Sequence, residues 1–417
     1  MKYSKRNQGR SSLIATAVAA CFATSVAYAN PVGPTVVNGQ VTSLTNGKLL
    51  SITNTPSAII NGQQFSIATG ETTRFIQQSA ASAVLNRVVG SDPSAILGAL
   101  QSNGRVFLIN PSGILFGAGA QIDVAGLVAS SLRLTNDDFL AGRMNFVGDP
   151  ALAAAVVNQG RISASPGGQI YLIGAGVDNQ GVITAPNGDI VLAAGKSVRV
   201  TERAAPGLQV EIVAPADRSL TLKMSEFTSG SRGMYAGLVR NSGTISANSV
   251  VRGADGGILL KASGDITLAA GSSTTANGAN GGTVTVDAGG AATLAGVVEA
   301  KGDTGAGGGI VLKSATSLTL EPGSRVSANG ASGGTVSVDS GGGIAVSGVV
   351  EAKGDLGAGG GIYLKSATDL TLDASANLTA SGASGGTVSV VAGGTASVAG
   401  TVGAKGRTAG RGGVSII

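Results

Sequence analysis

Beyond residue 256 the chain alternates apolar and polar residues in short runs, among them Leu318-Thr319-Leu320 and Thr335-Val336-Ser337-Val338. A period of two marks a strand with one buried face. The runs recur by a fixed step. A step of 26 from Ile258 reaches Val284, Ile310, Val336, Ile362, Val388 and Val414 in turn. The same step from Leu268 reaches Leu294, Leu320, Val346, Leu372 and Val398. Longer markers recur at a spacing of 52, two such steps. They are Gly-Gly-Ile-x-Leu-Lys at 256–261, 308–313 and 360–365, and Gly-Gly-Thr-Val at 281–284, 333–336 and 385–388. Ala-Lys-Gly at 300–302, 352–354 and 404–406 keeps the same spacing.

Three runs of three to five residues in each 26 do not suit helices, and Gly lacks the three-residue period of collagen. Propeller blades are longer and carry aromatic signatures that are missing here. The pattern predicts an all-β chain coiled as a parallel β-helix (β-solenoid). One such turn cannot offset the entropy of ordering its own backbone, so stacked turns share stability and satisfy one another's hydrogen bonds. The Gly, Asn, Ser and Asp residues between runs are expected at tight turns needing positive φ or side-chain capping.

Shorter turns are expected upstream. Asn158-Gln159-Gly160-Arg161-Ile162 is echoed by Asn179-Gln180-Gly181-Val182-Ile183 and by Asn241-Ser242-Gly243-Thr244-Ile245. Each Asn-x-Gly is read as a corner, with the following Ile beginning an inward strand. Residues 203–218 and 228–234 break the pattern and are read as excursions. At about 4.8 Å per turn, roughly 17 turns would give a rod on the order of 80 Å. The chain stops at Gly412-Gly413-Val414-Ser415-Ile416-Ile417, in the opening strand of another turn, and is expected to be a truncated chain or a fragment.

The N-terminus differs in kind. Lys2, Lys5, Arg6 and Arg10 precede an apolar stretch from Leu13 to Val26 and then Ala27-Tyr28-Ala29. This is the layout of a secretory signal peptide over residues 1–29, cut after Ala29. The stretch is short for an anchor helix. Val18-Ala19-Ala20-Cys21 offers a competing lipoprotein cut, with Cys21 acylated.

Composition narrows the chemistry. The 417 residues include 68 Gly but no His and one Cys, Cys21, which removes His-dependent nucleophilic relays and His- or multi-Cys metal sites. The net charge of +5 is concentrated in the leader: without its four cations, 24 basic residues face 23 acidic ones. No later basic run or aromatic interleaving supports nucleic-acid binding. No cofactor and no enzymatic activity is expected.

Residues 84–146 carry a specific resemblance. Val84-Leu85-Asn86-Arg87-Val88 and Asp92-Pro93-Ser94 lead into Gly104-Arg105-Val106-Phe107-Leu108-Ile109-Asn110-Pro111-Ser112-Gly113-Ile114. Phe116-Gly117, Gly126-Leu127-Val128-Ala129-Ser130-Ser131-Leu132 and Asp138-Phe139 follow in order. This string resembles the N-terminal haemagglutination activity/secretion domain of filamentous haemagglutinin-like proteins, the passengers of two-partner secretion.

The resemblance implies a right-handed parallel β-helix with an N-terminal cap and extra strands on its flank. It implies a secretion domain over residues 30–270, with 271–417 as a Gly-rich repeat shaft. The implied partner is an outer-membrane β-barrel transporter with periplasmic POTRA domains, through which the passenger travels unfolded to the cell surface. The implied function is a secreted adhesin acting on a host receptor or glycan. The N-terminal part of a contact-dependent growth-inhibition toxin or haemolysin is the alternative. The family's two Asn motifs map onto Asn86 and onto Asn110, Pro111, Ser112, Gly113 and Ile114, with Ser112 where Asn is common. Read as residues alone, Asn110–Gly113 is a type I turn making a corner. For Asn86, transporter recognition and local capping both stay open.

Other signals are weaker. Asp137-Asp138 is read as turn residues rather than a catalytic pair. Gly305–Gly309 lacks the Lys-Ser/Thr of a phosphate loop. Asp287 and Asp339 lack calcium-repeat spacing, and Val391 replaces them in the next copy. Lys261, Lys313, Lys365, Glu299 and Glu351 are expected to face solvent, with a ligand-binding ladder as the alternative. A β-helical carbohydrate-active enzyme would need acidic residues clustered along a groove, and no such set is visible. Oligomeric state is not legible.

Overall fold

The computed structural model describes residues 30–149, 154–201, 209–213, 237–249, 256–408, 410 and 412–417. The leader 1–29, with Cys21 and the Ala29 cut, lies outside them, as does segment 228–234. Of the expected excursion 203–218, residues 209–213 are described and form a strand.

Every turn passes through three walls, typified by Ala292–Leu294, Val297–Glu299 and Gly309–Ser314. The first wall is an 11-stranded sheet from Ser94–Ile96 to Ala396–Val398. The second and third walls merge through two long strands, Ala99–Ile109 and Gln121–Ser130, that bend from one wall into the next. Within all three walls successive turns pair parallel. At about 4.8 Å per strand the first wall is roughly 50 Å tall, shorter than the length alone suggested. Residues 35–46 and the flanking segments lie outside the stacked turns. The downstream turns are also longer than those upstream, where Ile170 pairs with Ile190.

Periodicity has a structural cause. From Gly257 onward each residue of the first and third walls pairs with one 26 further on, as Leu294 with Leu320 and Ile310 with Val336. In the second wall the step alternates: Thr275 pairs with Glu299, Glu299 with Ser327, and Ser327 with Glu351. Every other turn has a longer corner before this wall and a shorter one after it. The unit that repeats without change is therefore a pair of turns.

Inside the coil, Val284, Val286, Leu294, Val298, Ile310, Leu312 and their successors form one continuous apolar column. The alternating runs predicted this directly, because alternate strand residues face opposite sides. The paired glycines at the corner after the second wall were expected to need positive φ, yet none of Gly282, Gly308, Gly334, Gly360 and Gly386 has it. Close stacking is what demands them: a Cβ on Gly334 would lie 2.1 Å from the Gly308 carbonyl oxygen, and one on Gly360 would lie 1.9 Å from that of Gly334.

At the N-terminal end two antiparallel strands close the coil. Thr35–Asn38 pairs with Ala58–Gly62, and Val41–Asn46 with Leu49–Asn54 through a turn at Gly47, φ +57°. The first parallel turns thus gain a partner along an edge that would otherwise present open hydrogen-bonding groups.

The flank is a second structure. Met144–Val147, Ser197–Thr201 and Gln209–Val213 form an antiparallel sheet beside a short helix, Asn136–Leu140. Asp137 and Asp138 sit in the first turn of that helix, where Thr135 caps the Asp138 N–H, rather than in a simple turn. Together these elements cover an outward row on the third wall: Ile59, Leu85, Phe107, Val128, Tyr171 and Val191, consecutive partners in register. Phe107 meets Phe139 edge-on at 5.1 Å. Burial on both sides explains why Val106–Ile109 is apolar throughout. Beyond Leu259 the same row continues as Thr285, Val311 and Ser337, and the cover ends.

Candidate secretion-recognition site

Asn110 follows the long strand Ala99–Ile109 and opens the turn to Ile114–Phe116. Its side chain is fully buried. The amide donates to the Asp92 carbonyl at 2.9 Å and to Ser94 Oγ at 3.0 Å, while Oδ1 accepts the Ser112 N–H at 2.9 Å. The backbone closes the same turn: the Gly113 N–H donates to the Asn110 carbonyl at 3.0 Å, and the Ser94 N–H donates to the Gly113 carbonyl at 3.0 Å. From the next turn, the Ser130 carbonyl accepts the Asn110 N–H at 2.9 Å.

Gly113 adopts φ +109°, a conformation costly for any residue with a Cβ. Pro111 supplies a fixed φ and needs no N–H partner at that position. What the turn takes from Ser112 is its backbone N–H, so Ser serves in place of the commoner Asn. Ile114 is buried in the coil and pairs with Ser94 and Val156. The five residues Asn110–Ile114 therefore hold three successive turns in register.

Asn86 is placed elsewhere, in the strand Ala83–Val88 of the third wall. It pairs in register with Ile60 and Leu108, both inward apolar residues, and is 4% exposed. Its amide donates to the Phe107 carbonyl at 3.4 Å, a long bond. Next to it Arg87 points outward, donating to Asn61 Oδ1 and to the Leu134 carbonyl of the flank. Burial lowers the pKa of its guanidinium. Neither Asn86 nor Asn110 offers a side chain to a partner that meets the folded surface.

The corner asparagines do more than turn the chain. Asn158, Asn179 and Asn241 are fully buried and stack into a ladder. Asn158 donates to Asn179 at 2.8 Å, Asn179 to Asn241 at 2.9 Å, and Asn241 to Thr274 Oγ1 at 3.2 Å. Their spacing along the chain showed the echo but not the inward direction. Gln77, buried in a polar network, carried no sequence signal, and Ser94 appeared only within the resembling string. Gln77 exchanges two hydrogen bonds with Asn103.

The charged ladder also differs from its expected solvent exposure. Glu351 is 5% exposed, held by Arg325 at 2.6 Å, Asn329 at 3.0 Å and Lys353. Burial pushes its carboxyl up, but the hydrogen bonds from Lys353 and Asn329 and the charges of Arg325 and Lys353 outweigh it and leave the pKa below the ordinary value. Glu299 is partly covered in the same way by Lys301 and Asn277. Lys313 and Lys365 are exposed as expected.

Residues 27–275 match the model of the TPS secretion domain family. A heme/hemopexin-binding protein of Haemophilus influenzae strain Rd is 32% identical over 180 residues, 41% of this chain and 20% of that protein. A second heme/hemopexin-binding protein of Haemophilus influenzae is 39% identical over 77 residues, 18% of this chain and 8% of its own length. The matches thus span about a fifth or less of these relatives. The crystal structure of the HMW1 secretion domain from Haemophilus influenzae superposes with a TM-score of 0.70 at 26% identity, covering 89% of this chain and all of that one. The parallel coil and the long family match give one conclusion: this chain belongs to the TPS secretion domain family.

Proposed function

We propose that the chain is a secreted haemagglutinin-like adhesin, exported across the outer membrane with residues 30–270 as export signal and folding nucleus. The repeats of 271–417 form its shaft, and the leader is removed after Ala29. The observation that supports this most is the buried Asn110–Ile114 turn, which ties the first turns of the coil together. In the folded domain the Asn86, Asn110 and Ile114 side chains are enclosed and only Pro111 and Ser112 are part-buried, so a transporter reads Asn86 and Asn110–Ile114 on the unfolded chain in the periplasm. POTRA domains are the surface that reads them. Outside the cell the same residues close the first turns, and the rest stack onto them. Folding at the exit opposes backsliding.

A second reading rests on the two heme/hemopexin-binding relatives: cargo capture rather than cell adhesion. The chain has no His, so haem iron would have to be ligated by Tyr or Met, and the carrier protein is the cargo to test. Beads coated with the secreted chain, scored on cultured host cells and in parallel for hemopexin binding, separate the two. Cell adherence without hemopexin binding supports the adhesin. Hemopexin binding without adherence overturns it in favour of capture.

A further inference from the structure

The outer face of the third wall is open beyond the flanking sheet, from Thr283–Ala288 to Thr387–Ala392. Every strand here pairs with the next by the same step of 26, so the register does not require its outward residues to alternate. They alternate nonetheless, and in phase. The strands with Lys313 and Lys365 carry Val311 and Tyr363 in the neighbouring outward row, and Gly309 and Gly361 beyond it. The strands with Asp287 and Asp339 carry Thr285 and Ser337, then Thr283 and Thr335. The face therefore repeats every two strands, about 9.6 Å.

Its charges are open to a ligand. Lys261 pairs with Asp287 at 2.5 Å, whereas Lys313, Asp339 and Lys365 are exposed and make no ion pair within 4.0 Å among the described residues. Tyr363 is 43% exposed, and its ring lies over Gly361, where a Cβ would meet it at 2.5 Å. Resting on a residue with no side chain, the ring turns its other face to solvent. That face suits the apolar side of a sugar ring, while the phenol keeps a polar handle at the rim.

We infer that this face binds a linear, β-linked polysaccharide in which a uronic acid alternates with an N-acetylated amino sugar. The inference rests on the adhesin reading and names the class of surface that the adhesin recognises. In an extended chain of this kind successive sugars are turned over, so one edge carries a carboxylate and an N-acetyl group in alternation. One disaccharide is close in length to two strands. Laid along the coil, such a chain sets its carboxylates against Lys313 and Lys365. The amide N–H between them meets Asp339, whose ionised carboxylate can only accept. The sugar beside Lys365 stacks on Tyr363. A uniformly charged polyanion fits worse, because Asp339 stands between the two lysines and opposes it. A neutral polymer leaves both lysines without partners. Each exposed contact is weak, so binding is modest and weakens as salt screens the charges.

Calorimetric titration of the secreted chain with a hyaluronan octasaccharide tests this, alongside octasaccharides of neutral chitin and of heparin, which is sulfated along its length. The expected result is hyaluronan binding that weakens at high salt, with heparin bound less tightly and chitin not at all. Lys313→Ala combined with Lys365→Ala should lower the affinity roughly fivefold. Asp339→Ala is expected to lower it about threefold, although removing a negative charge would tighten a purely electrostatic contact with a polyanion. All three positions are exposed, so the variants should melt with the wild type, which circular dichroism verifies. Absence of hyaluronan binding overturns the inference, as does a preference for heparin or tighter binding after Asp339→Ala. Adherence of coated beads to host cells, before and after hyaluronidase treatment, scores the adhesin reading separately. Adherence that survives the enzyme, from a chain that binds no oligosaccharide, overturns the polysaccharide site and leaves adhesion standing. Oligosaccharide binding without adherence retains the site and overturns the adhesin reading.

Discussion

At the scale of single residues, the argument concerns polar groups enclosed in an apolar coil. Replacing Asn110 by Ala leaves the Ser94 hydroxyl, the Asp92 carbonyl and the Ser112 N–H short of partners in a buried turn, a loss of about 2–4 kcal/mol. Urea unfolding of the purified domain measures it, and reduced export of Asn110→Ala is the expected companion. Glu351 gives a pH-dependent prediction. Its pKa is depressed in the fold, so the stabilisation is fully present above the ordinary Glu value near 4.3 and disappears as pH falls through the depressed value. Glu351→Gln should cost about 1–2 kcal/mol at pH 7, allowing for solvent at the rim of the pair, and progressively less as pH falls below the ordinary Glu value. Chemical unfolding across a falling pH series reads the difference. Neither burial was visible in the sequence. Asn110 looked like an ordinary turn residue, and Glu351 like a solvated charge, because the groups that enclose them come from neighbouring turns.

For the elements, register decides. The inward rows of the first and third walls were legible from periodicity alone, since a constant step keeps β-branched and aliphatic residues on one column. The second wall was not, because its step alternates and the compensating corners cancel over two turns. Deleting residues 309–360, one full repeat, should leave a cooperative coil. Deleting 309–334 brings unlike corners into contact and should lower the melting temperature markedly, as calorimetry would show. Glycine was legible as punctuation, and positive φ is the reason at Gly47, Gly271 and Gly323 but not at the corner pairs. The corner pairs carry no side chain because carbonyls stack against them, so Gly334→Ala should destabilise by about 2–4 kcal/mol. A melting temperature unchanged by that substitution would contradict the stacking account. The flanking sheet was implied only by resemblance. Its apolar partners on the third wall read as a continuous buried run, and nothing local says what covers them.

As a whole molecule, the chain is a column whose turns depend on their neighbours. Such stability propagates from a nucleus, and the capped, flanked N-terminal turns are the part best able to provide one. The polar echo at 158, 179 and 241 lies in this part and continues inside the coil as the asparagine ladder, which joins shorter upstream turns to the regular shaft. The family match, residues 27–275, covers these first turns. The function proposed above thereby links export to folding, because a signal enclosed on folding could be read only beforehand.

The most direct test of the account is transporter-dependent release. The chain would be expressed with and without its outer-membrane transporter, and protein would be scored outside the cell together with its N-terminal residue. Protease-resistant chain outside only when the transporter is present, beginning at Asn30, is the predicted result. Release without the transporter, or retention of the intact chain with it, would contradict the assignment of residues 30–270 as the export signal.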